Sequence, residues 1–311
     1  MPAPVRTLFF GSGSVALPVL ARLLESDLVT IDSVVTAPPR PAGRKQVLTP
    51  TPVAELAVAH GLPVLTPITL RDAAVVDELR AVDPGLIVLA DYGRIIPGTV
   101  LALPRHGALN IHPSLLPRYR GAAPVVGTIL AGDSVGGVTV MAMDQGLDTG
   151  PIVAQAEIDL DGTETAPALE ERLAELGADL LIVTLPAWLD GTLKAQPQPT
   201  EGVSLTRQLQ REDGRLDPRC SAIELERQVR AYQPWPGSFV ELGGDGPAAE
   251  RLKVWAASLS DRPTSGDPGA LVPVGETLGL VTADGVLQLD EVQPAGKRRM
   301  LGAEYRRGRR S

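Results

Sequence analysis

The stretch Val5-Arg-Thr-Leu-Phe-Phe-Gly-Ser-Gly-Ser14 decides the fold. Val5 to Phe10 is apolar with little alternation, which suits a strand buried on both faces. Gly11 to Ser14 turns the chain, and Val15 to Leu24 has the spacing of an apolar helix. A strand, tight turn and helix in that order open a parallel sheet flanked by helices. Working outward, Val29 to Thr36 reads as a second strand and Ala37 to Gln46 as a long irregular loop. That loop has three prolines and one glycine, and Arg40, Arg44 and Lys45 make it basic. Helices are expected over Pro52–His60 and Leu70–Arg80, with a short strand at Pro63–Leu65 between them. Leu86 to Ala90 is apolar throughout and suits a central strand. Gly107–His112 and Gly137–Met143 read as further strands, with helices at Ala123–Leu130 and Leu169–Leu189.

Beyond residue 190 the pattern changes. Residues 191–203 are rich in Pro, Gln and Thr and read as a linker. From Ser204 a helix (Ser221–Ala231) is followed by strands near Leu252–Trp255, Leu278–Thr282 and Val286–Leu289, punctuated by glycine as in a small barrel. The expected division is a domain over 1–190, a linker over 191–203 and a β domain over 204–311, with no internal repeat. A length of 311 residues suits two ordinary domains, and 44% hydrophobic with 21% charged residues excludes a fibrous or wholly disordered chain. No apolar run reaches the ~20 residues that span a bilayer. Met1 to Arg6 lacks a basic flank followed by an apolar signal core, so a cytoplasmic protein is expected. One cysteine, Cys220, cannot make an internal disulfide, and three histidines leave no Cys/His zinc site.

The net charge is −8. Between Asp290 and Ser311, however, seven cations face three acids, a net of +4, which leaves −12 on the remaining 289 residues. A general nucleic-acid coat is disfavoured, while the tail is either a solvated terminus or a local cationic patch. Gly11-Ser-Gly-Ser14 is either an anion cradle at a helix start or a capped tight turn. Asn110 and His112 are two apart on one strand and so share a face. At the carboxyl end of a parallel strand they could converge on a carbonyl, or simply form a turn with a satisfied histidine. Asp148, in Gly-Leu-Asp-Thr-Gly, lies one strand-helix-strand unit later, in a glycine-flanked loop that can aim its carboxylate at the same volume. His60 and His106 have no acidic or amide partner at comparable spacing.

Asn110-Ile-His112-Pro-Ser-Leu-Leu-Pro117-Arg-Tyr-Arg-Gly121-Ala-Ala-Pro, followed by Asp144-Gln-Gly-Leu-Asp148-Thr-Gly, resembles the formyltransferases that use 10-formyltetrahydrofolate. Arg40-Pro-Ala-Gly-Arg44, Gln233-Pro-Trp-Pro-Gly237 and Gln293-Pro-Ala-Gly-Lys297-Arg-Arg-Met300 extend the resemblance over the whole chain, toward the branch that formylates initiator methionyl-tRNA. It implies a Rossmann-like catalytic domain with a mostly parallel sheet and a smaller, OB-like β-barrel. It further implies a catalytic trio of Asn110, His112 and Asp148 with no metal. Negative charge on the formyl oxygen would meet donors from Asn110 and a protonated His112, while Asp148 would keep His112 charged and accept the amine's proton. Ser114, Leu115, Leu116 and Pro117, with Leu89, Tyr92, Gly93 and Asp144, would line the folate pocket, backbone groups meeting the pterin edge. Arg40, Arg44 and Lys45 in the long loop and Lys297, Arg298 and Arg299 near the end would meet tRNA. Trp235 would pack the second domain on the first, Trp188 and Trp255 would be core, and the chain would be a monomer that binds no membrane.

Two departures stand out: Gly-Ser-Gly-Ser-Val-Ala replaces the Gly-Thr-Pro-x-Phe-Ala usual in the tRNA branch, and Asp91 stands where an apolar or small residue is common. The first keeps open a small-amine formyltransferase, acting on an amino sugar or glycinamide ribonucleotide, or a hydrolase of the formylfolate. A non-catalytic folate- or RNA-binding module is the third reading.

Overall fold

A computed structural model of the chain describes residues 3–43, 46–242, 250–263 and 266–309. The first unit comprises residues 1–124, 135–159 and 170–206, the second residues 125–134, 160–169 and 207–311.

The opening stretch is β1 (Val5–Gly11), followed by α1 (Ala16–Leu24) and β2 (Val29–Val35). Part of the proline-rich loop departs from its expected irregularity. β3 (Arg40–Ala42) pairs antiparallel with β4 (Val47–Thr49), a ribbon of three residue pairs in which Pro41, having no N–H, faces Leu48. α2 (Pro52–Ala59) starts where the Thr51 hydroxyl accepts from the Ala54 N–H. β5 (Val64–Leu65) precedes α3 (Ala73–Ala81), which begins three residues later than expected because Asp72 caps it through the Ala74 N–H. β6 (Leu86–Ala90), α4 (Gly98–Leu101), β7 (Ala108–His112), β8 (Arg120–Gly121), α5 (Pro124–Ala131) and β9 (Val135–Ala142) follow. β10 (Ile152–Asp159), unforeseen in the sequence, precedes α6 (Ala166–Leu189) and β11 (Leu205–Thr206).

Seven strands form one sheet in the order β10-β9-β7-β6-β1-β2-β5. β5, β2, β1, β6 and β7 run parallel, and β9 is antiparallel to both β7 and β10. The chain winds outward both ways from β1 and β6, so the crevice outside their carboxyl ends is the topological switch point where ligands bind in such sheets. Phe9, Val88, Leu109 and Val140 pack on one face with α1 and α6, including Leu20, Leu181 and Leu185. Leu8, Phe10, Ile87 and Leu89 pack on the other with Leu79, Tyr92 and Val100. Burying such side chains is worth about 1.5–3 kcal/mol each before entropy is counted, so the strand ends sit on a rigid base.

In the second unit, α7 (Ala222–Ala231) starts at a Ser221/Glu224 capping box. β12 (Ser238–Leu242), β13 (Glu250–Ser260), β14 (Leu271–Val274), β15 (Thr277–Val281) and β16 (Val286–Pro294) pair antiparallel in the order β12-β13-β16-β15-β14, and β17 (Met300–Leu301) joins β16. Register shifts at Ala256 bend β13, giving a barrel-like sheet that closes over Leu225, Val229, Leu252, Leu280, Leu287 and Tyr305. The basic tail is ordered through Arg309 as α8 (Gly302–Arg309), rather than a frayed end. Trp235 is 54% exposed. One tryptophan expectation is corrected. Trp255 is half-buried at the surface, where the Lys253 ammonium lies 3.7 Å and the Arg299 guanidinium 5.1 Å from its ring centre. Trp188 packs against the first unit's core, as expected, and donates to the His106 carbonyl.

Candidate active site

Asn110 and His112 lie at the carboxyl end of β7, 8% and 4% exposed. Among the described residues no hydrogen bond reaches the Asn110 side-chain amide, and the buried side-chain polar atom that lacks a partner is the Tyr92 hydroxyl, so the Asn110 amide is left open to the crevice. His112 Nε2 is 3.0 Å from the Tyr119 carbonyl. A carbonyl only accepts, so Nε2 carries the proton and Nδ1 holds a lone pair in the neutral ring. Nδ1 is 3.8 Å from Asp148 Oδ2. Burial pushes the imidazole below its ordinary pKa, against the opposing pull of Asp148 and the Tyr119 carbonyl. Desolvation outweighs the carboxylate in this balance, so the direction of the shift favours the neutral ring, against the expectation that Asp148 keeps His112 charged.

Asp148 is held in the left-handed region, φ +51°. Its Oδ2 accepts from the Gly121 N–H at 2.8 Å, and its own carbonyl accepts from Gln198 Nε2 at 2.8 Å. The loop around it is closed by Asp144, which accepts from the Gly146 N–H and the Thr149 hydroxyl. Gly150 lets the loop return against β9, because a Cβ there would collide with the Ala142 carbonyl. Asp144, expected in the folate pocket, thus spends its carboxylate on shaping the loop that presents Asp148.

The Ser114–Pro117 turn is tied inward. The Ser114 hydroxyl donates to the Arg118 carbonyl at 2.7 Å. The Leu116 N–H donates to the Thr139 hydroxyl, and its carbonyl accepts from Gln155. The Pro117 carbonyl accepts from the Ser204 N–H. The Leu116 N–H is committed to Thr139, whereas its carbonyl, which can accept twice, keeps a lone pair for another donor. Leu115 lies against Gly137. Leu89, on β6, is the register partner of Asn110 and shares its face. Tyr92 is buried against Phe10, edge to face at 5.3 Å, and its buried hydroxyl has no hydrogen-bond partner among the described residues. Gly93, φ +71°, borders open space.

At the switch point the Ser12 and Gly13 N–H groups both donate to the Asp91 carbonyl, which removes them from any anion cradle. The Asp91 side chain folds back onto the turn, where a Cβ on Gly13 would overlap its carboxylate. Solvent reaches Asp91, yet the protein atoms crowding it push the carboxyl up to about 6. Glu170 is also raised, by burial first and by Asp91 second. Two carboxyls beside the turn argue against a phosphate there.

Arg40 is exposed on β3, whereas Arg44 and Lys45 lie outside the described residues. Lys297 is exposed; Arg298 lies 3.6 Å from Glu304; Arg299 pairs with Glu291 beside Trp255. Among the described residues no group of His, Cys, Asp and Glu could hold a metal ion, and no helix is long and apolar enough to cross a membrane. Sequence reasoning missed Tyr119, Arg120, Gly121 and Gln198 as supports of the trio. Arg-Tyr-Arg-Gly was visible as a motif, but Gln198 lies 50 residues from Asp148 and carries no local signal.

Two family models cover the chain: formyl transferase over residues 5–185, and formyl transferase, C-terminal domain, over residues 208–310. The chain is 45% identical over 307 residues to the methionyl-tRNA formyltransferase of Chloroflexus aggregans, covering 98% of this chain and 97% of that one. Among solved structures it is similar to the N-formyltransferase from Helicobacter canadensis in complex with folinic acid and dTDP-3-aminofucose. That match has a TM-score of 0.68 at 16% identity, covering 93% of this chain and 99% of that one. It is also similar to a variant of HypX from Aquifex aeolicus, with a TM-score of 0.65 at 18% identity; it covers 97% of this chain but spans only 47% of that longer one. These two likenesses carry the fold, and the model matches with the near-complete 45% relative carry the family: the chain belongs to the formyl transferase family.

Proposed function

We propose that the chain transfers the formyl group of 10-formyltetrahydrofolate to the α-amine of methionine on initiator methionyl-tRNA, the step that prepares this tRNA for translation initiation. The observation that carries the chemistry is the His112–Asp148 pair at the carboxyl end of β7, with the uncommitted Asn110 amide two residues before His112 on the same strand face. The folate co-substrate supplies an activated formyl carbon. Asn110 donates to the formyl oxygen as negative charge gathers there, a contribution of about 2.7–4 kcal/mol for a well-placed donor. His112, neutral and with Nε2 committed to Tyr119, accepts the proton of the attacking amine at Nδ1. Asp148, 3.8 Å away, stabilises the imidazolium so formed. The proton then passes to the departing folate nitrogen.

Leu89, Tyr92, Gly93, Ser114, Leu115, Leu116, Pro117 and Asp144 shape the surroundings of the folate site through packing and loop geometry, with few free polar groups of their own. Arg40, Arg44, Lys45, Lys297, Arg298 and Arg299 supply cations for the acceptor, which an otherwise acidic chain has to concentrate locally. We divide the chain into a catalytic domain over 1–190, a connecting segment over 191–203 and a tRNA-binding domain over 204–311, working in the cytoplasm as a monomer. The full-length similarity to the Chloroflexus enzyme supports the tRNA substrate, and the Asp91 carboxylate at the first turn disfavours a phosphate-cradling small-amine enzyme.

The test is transfer of labelled formyl from 10-formyltetrahydrofolate to methionyl-tRNA charged on the initiator, beside an elongator control and free methionine. Transfer confined to the initiator is the expected result. Transfer to an amino sugar or glycinamide ribonucleotide, with none to tRNA, would replace this reading.

A further inference from the structure

Asp148 lies in the left-handed backbone region, φ +51°, uncommon outside glycine although aspartate enters it more readily than most residues. Its carboxylate has one anchor, the Gly121 N–H, and its main chain has another. The Gln198 side-chain amide bridges two carbonyls of the loop, Asp148 at 2.8 Å and Gly150 at 2.7 Å, using both of its N–H bonds. The other end of that amide is fixed too. Its Oε1 accepts from Arg120 Nε at 3.0 Å and Nη2 at 2.7 Å, so the NH2 end must face the loop. Gln198 is itself held by its neighbour: the Gln196 N–H and C=O pair with those of Ile152, both at 2.7 Å.

The same segment supports the histidine side. The Tyr119 N–H donates to the Ser204 hydroxyl at 2.8 Å, the Arg120 N–H to the Ser204 carbonyl at 3.0 Å, and β8 pairs with β11. Tyr119 in turn gives its carbonyl to His112, and Gly121 gives its N–H to Asp148. Residues 196–206 therefore brace both members of the pair from one strip of chain.

We propose that Gln198, clamped by Arg120, is a positioning residue that sets the Asp148 carboxylate against His112, so that the segment joining the two halves of the sequence is part of the catalytic support. This rests on the reading of Asp148 given above. Reach over 3.8 Å is sensitive to displacement, and misplacing a reacting group by about 1 Å can cost about 100-fold in rate.

The test compares Gln198→Leu with wild type in formyl transfer to methionyl-tRNA. A cavity of about 450 Å3 beside Gln198, lined in part by Arg120, Thr149 and Val203, leaves room for the leucine. The expected result is a fall in kcat of about 10- to 100-fold with KM for both substrates within twofold. In an Asp148→Asn background, measured by single turnover, the same change has no further effect, because one residue acts through the other. Arg120→Met, which frees the amide to turn over, reproduces the loss if Gln198→Leu does not fold. Multiplying losses in the double variant, a rise in KM at unchanged kcat, or wild-type turnover in both single variants would overturn the inference. Full turnover in Asp148→Asn alone would instead overturn the reading of Asp148.

Discussion

Asp91 follows β6 and Asp148 lies in the loop between β9 and β10, both in left-handed backbone conformation, φ +44° and +51°, yet the chain treats them differently. Asp148 receives an N–H from Gly121, an amide on its carbonyl and an imidazole 3.8 Å away. Among the described residues the Asp91 carboxylate receives no donor. It lies on the bare backbone of Gly13, and crowding without compensation raises it to about 6. The difference teaches that proximity to the crevice does not make a carboxylate useful: what distinguishes Asp148 is the set of donors that fixes its direction.

The sharpest way to break this comparison is to remove the partner that only Asp148 has. His112→Ala is expected to lower formyl transfer by about 1000-fold, whereas Asp91→Asn leaves it within about threefold, both measured as kcat at saturating substrates. Equal losses would erase the distinction. Next in size, Asn110→Ala is expected to cost about 100-fold in kcat, with folate affinity by titration changed far less, because the lost donor acts on charge that develops during reaction.

Asp91 should instead register in stability. Its folded pKa lies above the unfolded value, so the proton favours the fold: that stability is present in full below about 3.8 and is lost as pH rises through about 6. Thermal unfolding of Asp91→Asn is expected to match wild type near pH 4 and to exceed it by about 2 °C at pH 8, a modest gain because solvent reaches the group. A lower Tm at pH 8 would mean an unseen partner for the carboxylate. The smallest stability effect belongs where both charges stand in water. Arg298 and Glu304, 79% and 38% exposed and 3.6 Å apart, should tolerate Arg298→Ala with a Tm change under about 1 °C. The same variant should reduce the salt slope of tRNA binding by about 1.

The doubly wound half was legible because its strands are continuous apolar runs at the right spacing: Leu86–Ala90 was expected with the bounds that are found. That Asn110, His112 and Asp148 come together was legible from two residue types alternating on one strand and a glycine-flanked aspartate, while their catalytic role came only from the resemblance. What stayed hidden depends on distant partners. β10 has few large apolar residues and is recruited by β9; the β3–β4 ribbon forms despite Pro41; α8 is basic enough to resemble a solvated tail, but packs Tyr305 into the second core. The shift of His112 toward the neutral ring was hidden for the same reason, since desolvation is a property of the assembled sheet. Gln198 sat in a stretch whose composition reads as linker, and its role is visible only through the two carbonyls it bridges.

The central claim is that a fixed Asp148 beside a neutral His112 drives formyl transfer to the amine of methionyl-tRNA. It is tested most directly by single-turnover transfer in Asp148→Asn, with folate and tRNA affinities measured on the same preparation. The account predicts a rate about 1000-fold below wild type with both affinities within twofold. A rate within tenfold of wild type, or a loss explained by weakened binding, would contradict it.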